Sequence, residues 1–193
     1  MLKSVKIEKM RFALLLSCFL FNNSIFSQIE KNNWMLGGSL SINATQSQNE
    51  IAGSYSTIKL SPSVGYFFEK NFAAGVLLEY LIEGSENFKF DFGNSNRGRL
   101  SVGPFARYYF LESVQKNNFF LEMFCNYTNN IRFSDKPIFR YGTSIGYVHF
   151  INQSIGIETK LVYQRLRFPL TDGASITNSL TLMFGFQIHL ERE

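Results

Sequence analysis

His149 and Ser154 are the one histidine–serine combination in this chain close enough in sequence to suggest acyl-transfer chemistry, with the imidazole as base and the hydroxyl as nucleophile. Four residues lie between them, across a predicted turn rather than along one face of one element. His149 is therefore better read as a histidine at an interface, and His189 as a residue filling an interior. Cys18 falls in an apolar leader, which leaves Cys125 without an internal disulfide partner. No metal-ligand cluster, phosphate-cradling loop or nucleophile elbow occurs, so neither metal nor cofactor is expected and the chain is not expected to be an enzyme. The remaining chemistry lies in six charges, Lys59, Glu79, Arg107, Glu122, Glu158 and Lys160. Each sits among small or polar residues that alternate with apolar ones. Such charges either pair in an enclosed interior or line a path for ions.

The elements that position them have a period of two. From Ile58 to Ile82 the even positions are apolar (Ile58, Leu60, Val64, Tyr66, Phe68, then Phe72, Val76, Leu78, Tyr80, Ile82). Lys59, Ser61, Ser63, Gly65, Ala73, Gly75 and Glu79 lie between them. Alternation of this kind places the two sets on opposite faces of a sheet. Glu69-Lys70-Asn71 is the turn, and each arm has about the 9–11 residues that a tilted strand needs to cross a bilayer. Six further segments repeat the pattern, over 34–45, 99–111, 119–128, 139–150, 154–164 and 178–190. The expectation is an all-β, eight-stranded antiparallel up-and-down transmembrane barrel over residues 28–193.

Residues 1–27 read as a cleavable signal peptide. Lys3, Lys6, Lys9 and Arg11 precede the run Phe12–Phe21, which is too short to span a membrane as a helix, and a polar patch ends at Ser27. A lipoprotein signal at Cys18 is disfavoured because the apolar run continues past it. The whole chain carries 19 basic and 15 acidic residues. Without the leader's four bases and one acid these become 15 and 14, a net of +1, which leaves no electrostatic footprint for nucleic acid.

Connections alternate in length. Short ones lie near 69–71, 112–118 and 151–153; longer polar ones lie near 46–54, 83–98, 129–137 and 167–177. Short turns on one side and long loops on the other mark a membrane barrel, with the short turns periplasmic and the long loops extracellular. A soluble ligand-binding barrel would invert the faces. Composition separates the two. The polar face carries Gly37, Gly65, Gly75, Gly103, Gly142, Gly146, Gly156 and Gly185, as a cramped interior demands. The apolar face is rich in Phe, Tyr and Leu, and Trp34, Tyr66, Phe68, Phe72, Tyr108, Phe110, Phe119, Tyr147 and Phe186 form a girdle at the short-turn end.

Trp34-Met-Leu-Gly-Gly-Ser, Ser61-Pro-Ser-Val-Gly-Tyr-Phe-Phe, Asn71-Phe-Ala-Ala-Gly and Gly103-Pro-Phe-Ala-Arg-Tyr-Tyr carry a resemblance to the eight-stranded outer-membrane barrels of Gram-negative bacteria, OmpA/OmpX-like or porin-family in the loose sense. The final strand, with Gly185, Ile188 and Leu190, resembles that family's assembly signal, though Glu191-Arg-Glu193 follows where the family ends on an aromatic. The resemblance implies an outer-membrane location and recognition by the barrel insertion machinery.

A lumen of eight strands is just wide enough to be filled by side chains, so the six inward charges are expected to pair. Arg107 and Glu122 should face each other across the hairpin centred between Val114 and Gln115. Pro62 and Pro104 should each sit at a bulge or cost a ladder bond. Arg165 and Arg167 continue the outward phase past the apolar band, at the level of outer-leaflet phosphates, which makes them candidate contacts to lipids including lipopolysaccharide. Phe88, Phe90 and Phe92 keep that phase into a long loop, a protruding aromatic collar or an edge offered to an extracellular partner. The functional expectation is a monomeric structural, adhesive or surface-interaction protein. A narrow diffusion channel is the alternative. A lipid-modifying enzyme is less favoured still, because His149 and Ser154 would lie at the periplasmic end.

Overall fold

In the computed structural model, which describes residues 29–45, 55–84, 98–112, 115–128, 138–170 and 173–191, eight antiparallel strands close into one barrel. They are β1 (Trp34–Thr45), β2 (Tyr55–Glu69), β3 (Phe72–Gly84), β4 (Gly98–Tyr109), β5 (Asn117–Thr128), β6 (Ile138–Phe150), β7 (Ile155–Leu170) and β8 (Gly173–Leu190). Each pairs with its sequence neighbours, and β1 closes against β8. Residues 1–27, expected to be a leader, and Phe88, Phe90 and Phe92 lie outside the described residues.

Stagger fixes the width of the wall. Trp34 pairs directly with Leu190 on β8. Traced the other way, through Tyr66, Ala74, Ala106, Met123, Thr143 and Tyr163, it reaches Leu180, ten residues away. For eight strands at ordinary spacing, that stagger gives a tilt of about 40° and a backbone radius of about 8 Å. Side chains from opposite walls must therefore meet.

The alternation in sequence becomes an inside and an outside. Burial along β5 alternates strictly, with Phe120, Glu122, Phe124, Asn126 and Thr128 buried against outward Phe119, Met123, Cys125 and Tyr127. The outward set forms an exposed apolar belt of Leu, Ile, Val and aromatic residues. Water would not tolerate such a belt, whereas lipid requires it. Two aromatic girdles bound it. Near the short turns Trp34, Tyr66 and Phe68 stack edge to face, as do Tyr108 and Phe110. There the Tyr66 hydroxyl donates to Asn32 Oδ1 (2.9 Å) and the Tyr147 hydroxyl to Asn117 Oδ1 (2.7 Å). Toward the other rim lie exposed Tyr80, Tyr127, Phe139, Tyr141 and Tyr163, a second ring not anticipated from the sequence.

Four features depart from or refine the sequence reading. The segment 167–177 is not a long loop: β7 runs to Leu170 and β8 begins at Gly173, so the two form a hairpin longer than its neighbours. Its residues continue to pair through Leu170↔Gly173, because an edge that reaches a partner keeps its ladder despite loop-like composition. Neither proline sits at a bulge. Register is unchanged across both, but pairing with β3 skips from Leu60 to Ser63 around Pro62, and pairing with β5 skips from Val102 to Phe105 around Pro104. Each proline thus costs ladder pairing on one side only. Among the described residues the one register shift lies between Phe67 and Glu69. Finally, Ile29–Asn33 folds under the barrel. Asn32 donates its backbone N–H to Phe67 O, Phe67 N–H donates to Asn33 O, and Ile29 is fully buried.

The alternation of connections predicts the orientation of the barrel. In cells, a membrane-impermeant thiol reagent should label cysteines introduced at Asn94 and Asp172, both outside the described residues, but not at Lys70 or Lys116 in the short turns. The opposite pattern would mean that the barrel is inverted.

Candidate functional site

The lumen holds two charge clusters stacked along the axis. In the lower one, Arg107 lies opposite Glu122 in the β4–β5 register. Arg107 Nε donates to Glu122 Oε2 at 2.8 Å and Nη2 to the same oxygen at 2.5 Å. Its Nη1 reaches Glu158 Oε2 (2.8 Å), Gln187 Oε1 (2.9 Å) and the Tyr109 hydroxyl (3.3 Å). Lys160 Nζ completes the cluster, 2.9 Å from Glu122 Oε1 and 3.8 Å from Glu158. Two cations thus balance two carboxylates, all buried. A single guanidinium ties together β4, β5, β7 and β8, which its fork of donors suits it to do.

The upper cluster contains Lys59, Glu79 and Arg140. Lys59 Nζ is 3.5 Å from Glu79 and donates to Gln164 Oε1 at 3.2 Å. Glu79 also forms an ion pair with Arg140. Arg140 shares the inward phase of β6 but was not among the charges singled out from sequence. Its partner lies on β3, three strands away around the wall, a distance that no local pattern reveals. Between the clusters lies a small cavity lined by Ser39, Lys59, Ser61, Glu79, Lys160 and Gln164 among others. It has room for about one water molecule.

Below the lower cluster the lumen is closed by rings. Phe67, Tyr109, Phe120 and Phe150 are fully or almost fully buried, with Ile29, Met35 and Val148. Arg107 lies 4.1 Å over the Phe120 ring, a cation–π contact in an enclosed setting. His189 packs between Phe67 (5.3 Å) and Phe150 (5.4 Å). The glycines make the room: a Cβ on Gly146 would strike the Phe120 ring, and one on Gly75 would strike the carbonyl of Val64 on the next strand.

Other candidates fall elsewhere. His149 lies outward and its Nδ1 meets Asn117 Oδ1 at 2.7 Å, while the Ser154 backbone N–H donates to Asn152 Oδ1. The two residues do not come together as a base and nucleophile. Arg165 and Arg167 are exposed on β7. Arg165 lies between Tyr141 and Asn178, and Arg167 between Phe139 and Ile176. Gly185 faces the lumen against the Gly38 carbonyl, Ile188 is half-buried and Leu190 exposed. Among the described residues no group of three or more His, Cys, Asp or Glu is arranged to hold a metal.

A closed wall, a lipid-facing exterior and a filled polar interior define the class: an eight-stranded transmembrane β-barrel of the outer-membrane type. Solved structures of other proteins share this fold. The N-terminal β-barrel domain of Pseudomonas aeruginosa OprF is 12% identical and matches with a TM-score of 0.51, covering 83% of this chain and 98% of that one. Neisserial surface protein A is 15% identical with a TM-score of 0.52, covering 81% of this chain and 96% of that one. No protein-family model matches the chain, nor does any curated protein.

Proposed function

We propose that the chain is a non-enzymatic integral protein of the outer membrane, with a structural, adhesive or surface-interaction role, and that its lumen serves as a lock rather than a path for solutes. The observation that supports this reading is the continuous plug, in which the Arg107 cluster spans the lumen directly above the Phe67, Tyr109, Phe120 and Phe150 rings. Purified protein in a planar bilayer should give no steady, resolvable single-channel steps. Regular steps would instead favour the narrow diffusion channel.

Insertion would follow recognition of the β8 end by the barrel assembly machinery. The lipid partners of this reading include lipopolysaccharide. Arg165 and Arg167 lie beside the upper girdle, where cations meet outer-leaflet phosphates. The double variant Arg165→Ala/Arg167→Ala should match the wild type in neutral detergent and be less stable in lipopolysaccharide-containing membranes. Equal stability in both media would remove these residues from the lipid interface.

A further inference from the structure

Along the outward face of the β5–β6 hairpin the side chains change character row by row. Leu121 and Ile145 belong to the lipid belt, and Phe119 and Tyr147 to the aromatic girdle at the short-turn end. The next outward row, Asn117↔His149, is polar. Each row lies two residues beyond the one before, about 7 Å along a strand. The last row therefore stands just past the girdle, at the depth of lipid headgroups. Asn117, Tyr147 and His149 are all exposed there.

Hydrogen bonding fixes what this row still offers. Asn117 Oδ1 is a carbonyl oxygen and can only accept. The Tyr147 hydroxyl donates to it at 2.7 Å, and His149 Nδ1, also 2.7 Å away, must carry a proton to do the same. A proton on Nδ1 makes Nε2 of the neutral ring an acceptor. The amide oxygen is thus doubly engaged, while the amide NH2 group keeps its donors. Among the described residues neither Asn117 Nδ2 nor His149 Nε2 has a hydrogen-bond partner. Directly opposed residues in an antiparallel pair hold their Cβ atoms about 4.5–5.5 Å apart. The unused donor and the unused acceptor are therefore carried side by side at the boundary between lipid and water.

We propose that Asn117 and His149 form a binding site for a phospholipid headgroup that bears both a phosphate and an N–H ammonium, the ethanolamine class, in the leaflet at the short-turn end. The Asn117 amide donates to a phosphate oxygen, which only accepts. The ammonium, joined to that phosphate by a short ethylene link, donates to His149 Nε2. Tyr147 is a positioning residue, since its hydroxyl sets which way the amide faces. The acyl chains lie over exposed Phe119, Ile145 and Ile157, the last of these paired with His149 on β7. A choline headgroup has the same phosphate and the same net charge but no N–H, so it leaves the imidazole without a donor. The site lies at the end of the barrel opposite Arg165 and Arg167, and it shares with the proposed function only the embedding in a membrane.

The test uses the full chain, folded in neutral detergent, with lipid adducts on the intact barrel counted by native mass spectrometry. Ethanolamine, N,N-dimethylethanolamine and choline lipids with the same acyl chains are offered in competition. The wild type should retain the ethanolamine lipid several-fold over the choline lipid. The dimethyl lipid, which keeps an N–H, should be retained nearly as well as the ethanolamine lipid. His149→Phe removes the acceptor, and Asn117→Asp removes the donor while keeping an oxygen for Tyr147; each should bring ethanolamine and choline lipids close to parity. Arg165→Ala/Arg167→Ala, at the other end, should leave the preference unchanged. The gel shift of folded barrel shows that each variant is intact, and the wild-type lipid series needs no variant. Equal retention of ethanolamine and choline lipids by the wild type would overturn the proposal, as would a preference already lost with the dimethyl lipid, which would assign it to headgroup size. A preference that survives in either folded variant, or falls in the arginine double variant, would overturn it too, by placing the lipid elsewhere on the barrel. None of these outcomes bears on planar-bilayer conductance, so the proposed function stands or falls separately.

Discussion

Arg107→Ala should lower the urea midpoint of the folded barrel more than any other single substitution in the lumen charge clusters, and Glu122→Ala should follow it. Trp34, the sole tryptophan, reports the transition, with the gel shift of folded barrel as a second probe. The lower cluster is balanced, with Arg107 and Lys160 against Glu122 and Glu158. Removing Arg107 leaves two carboxylates to one lysine; removing Glu122 leaves two cations to one carboxylate. Either change strands a charge away from bulk water, which costs about 3–5 kcal/mol for a fully buried pair. Arg107 should cost the more, because Glu158, Gln187 and the Phe120 ring lose their partner as well. The double variant restores balance, so its loss should fall clearly short of the sum of the singles. Strictly additive losses would mean that the guanidinium and the carboxylate do not meet.

A second large effect is expected at Phe120 and Gly146. Phe120 is fully buried, with Arg107 over its face and Gly146 beside it on β6. Phe120→Ala should destabilise the barrel by about 3–5 kcal/mol through the void it leaves. Gly146→Ala drives a methyl group into the same ring. It should cost about 1–3 kcal/mol, the usual range for overpacking. Combined with Phe120→Ala, however, Gly146→Ala should cost almost nothing further, because its methyl enters the space the ring has left. A full penalty for Gly146→Ala in the Phe120→Ala background, again read from the urea midpoint, would place its effect in the backbone rather than at the ring.

The wall was largely legible because a period of two is a local signal: neighbouring residues alone declare which face each occupies. Arg107 opposite Glu122 could be placed for the same reason, since a short symmetric turn fixes hairpin register. Arg140 with Glu79 could not, because that pair spans β6 and β3 and depends on closure and stagger. The β7–β8 hairpin was hidden by composition. Pro169, Gly173, Ser175 and Thr177 are residues of turns, yet pairing along the whole of two adjacent strands outweighs their individual preferences. Ile29, just beyond the leader expected from the sequence, carries no periodic signal. Its burial follows only from where Asn32 and Asn71, both with positive φ (74° and 67°), turn the chain beneath the barrel.

The tuck of Ile29–Asn33 beneath β2 gives the barrel a gradient in how it breathes. At that end the backbone has rings behind it and a second layer of backbone bonds across its mouth, from Asn32 to Phe67 and from Asn71 to Ile29. At the opposite rim, polar side chains line the lumen and the β1–β8 ladder has already ended. Amide hydrogens should therefore exchange earlier at that rim and last around Phe67, Tyr109 and Phe120. Thermal opening would then travel from the rim opposite the tuck toward the end that the tuck closes, and the last contacts released would be those that close the lumen.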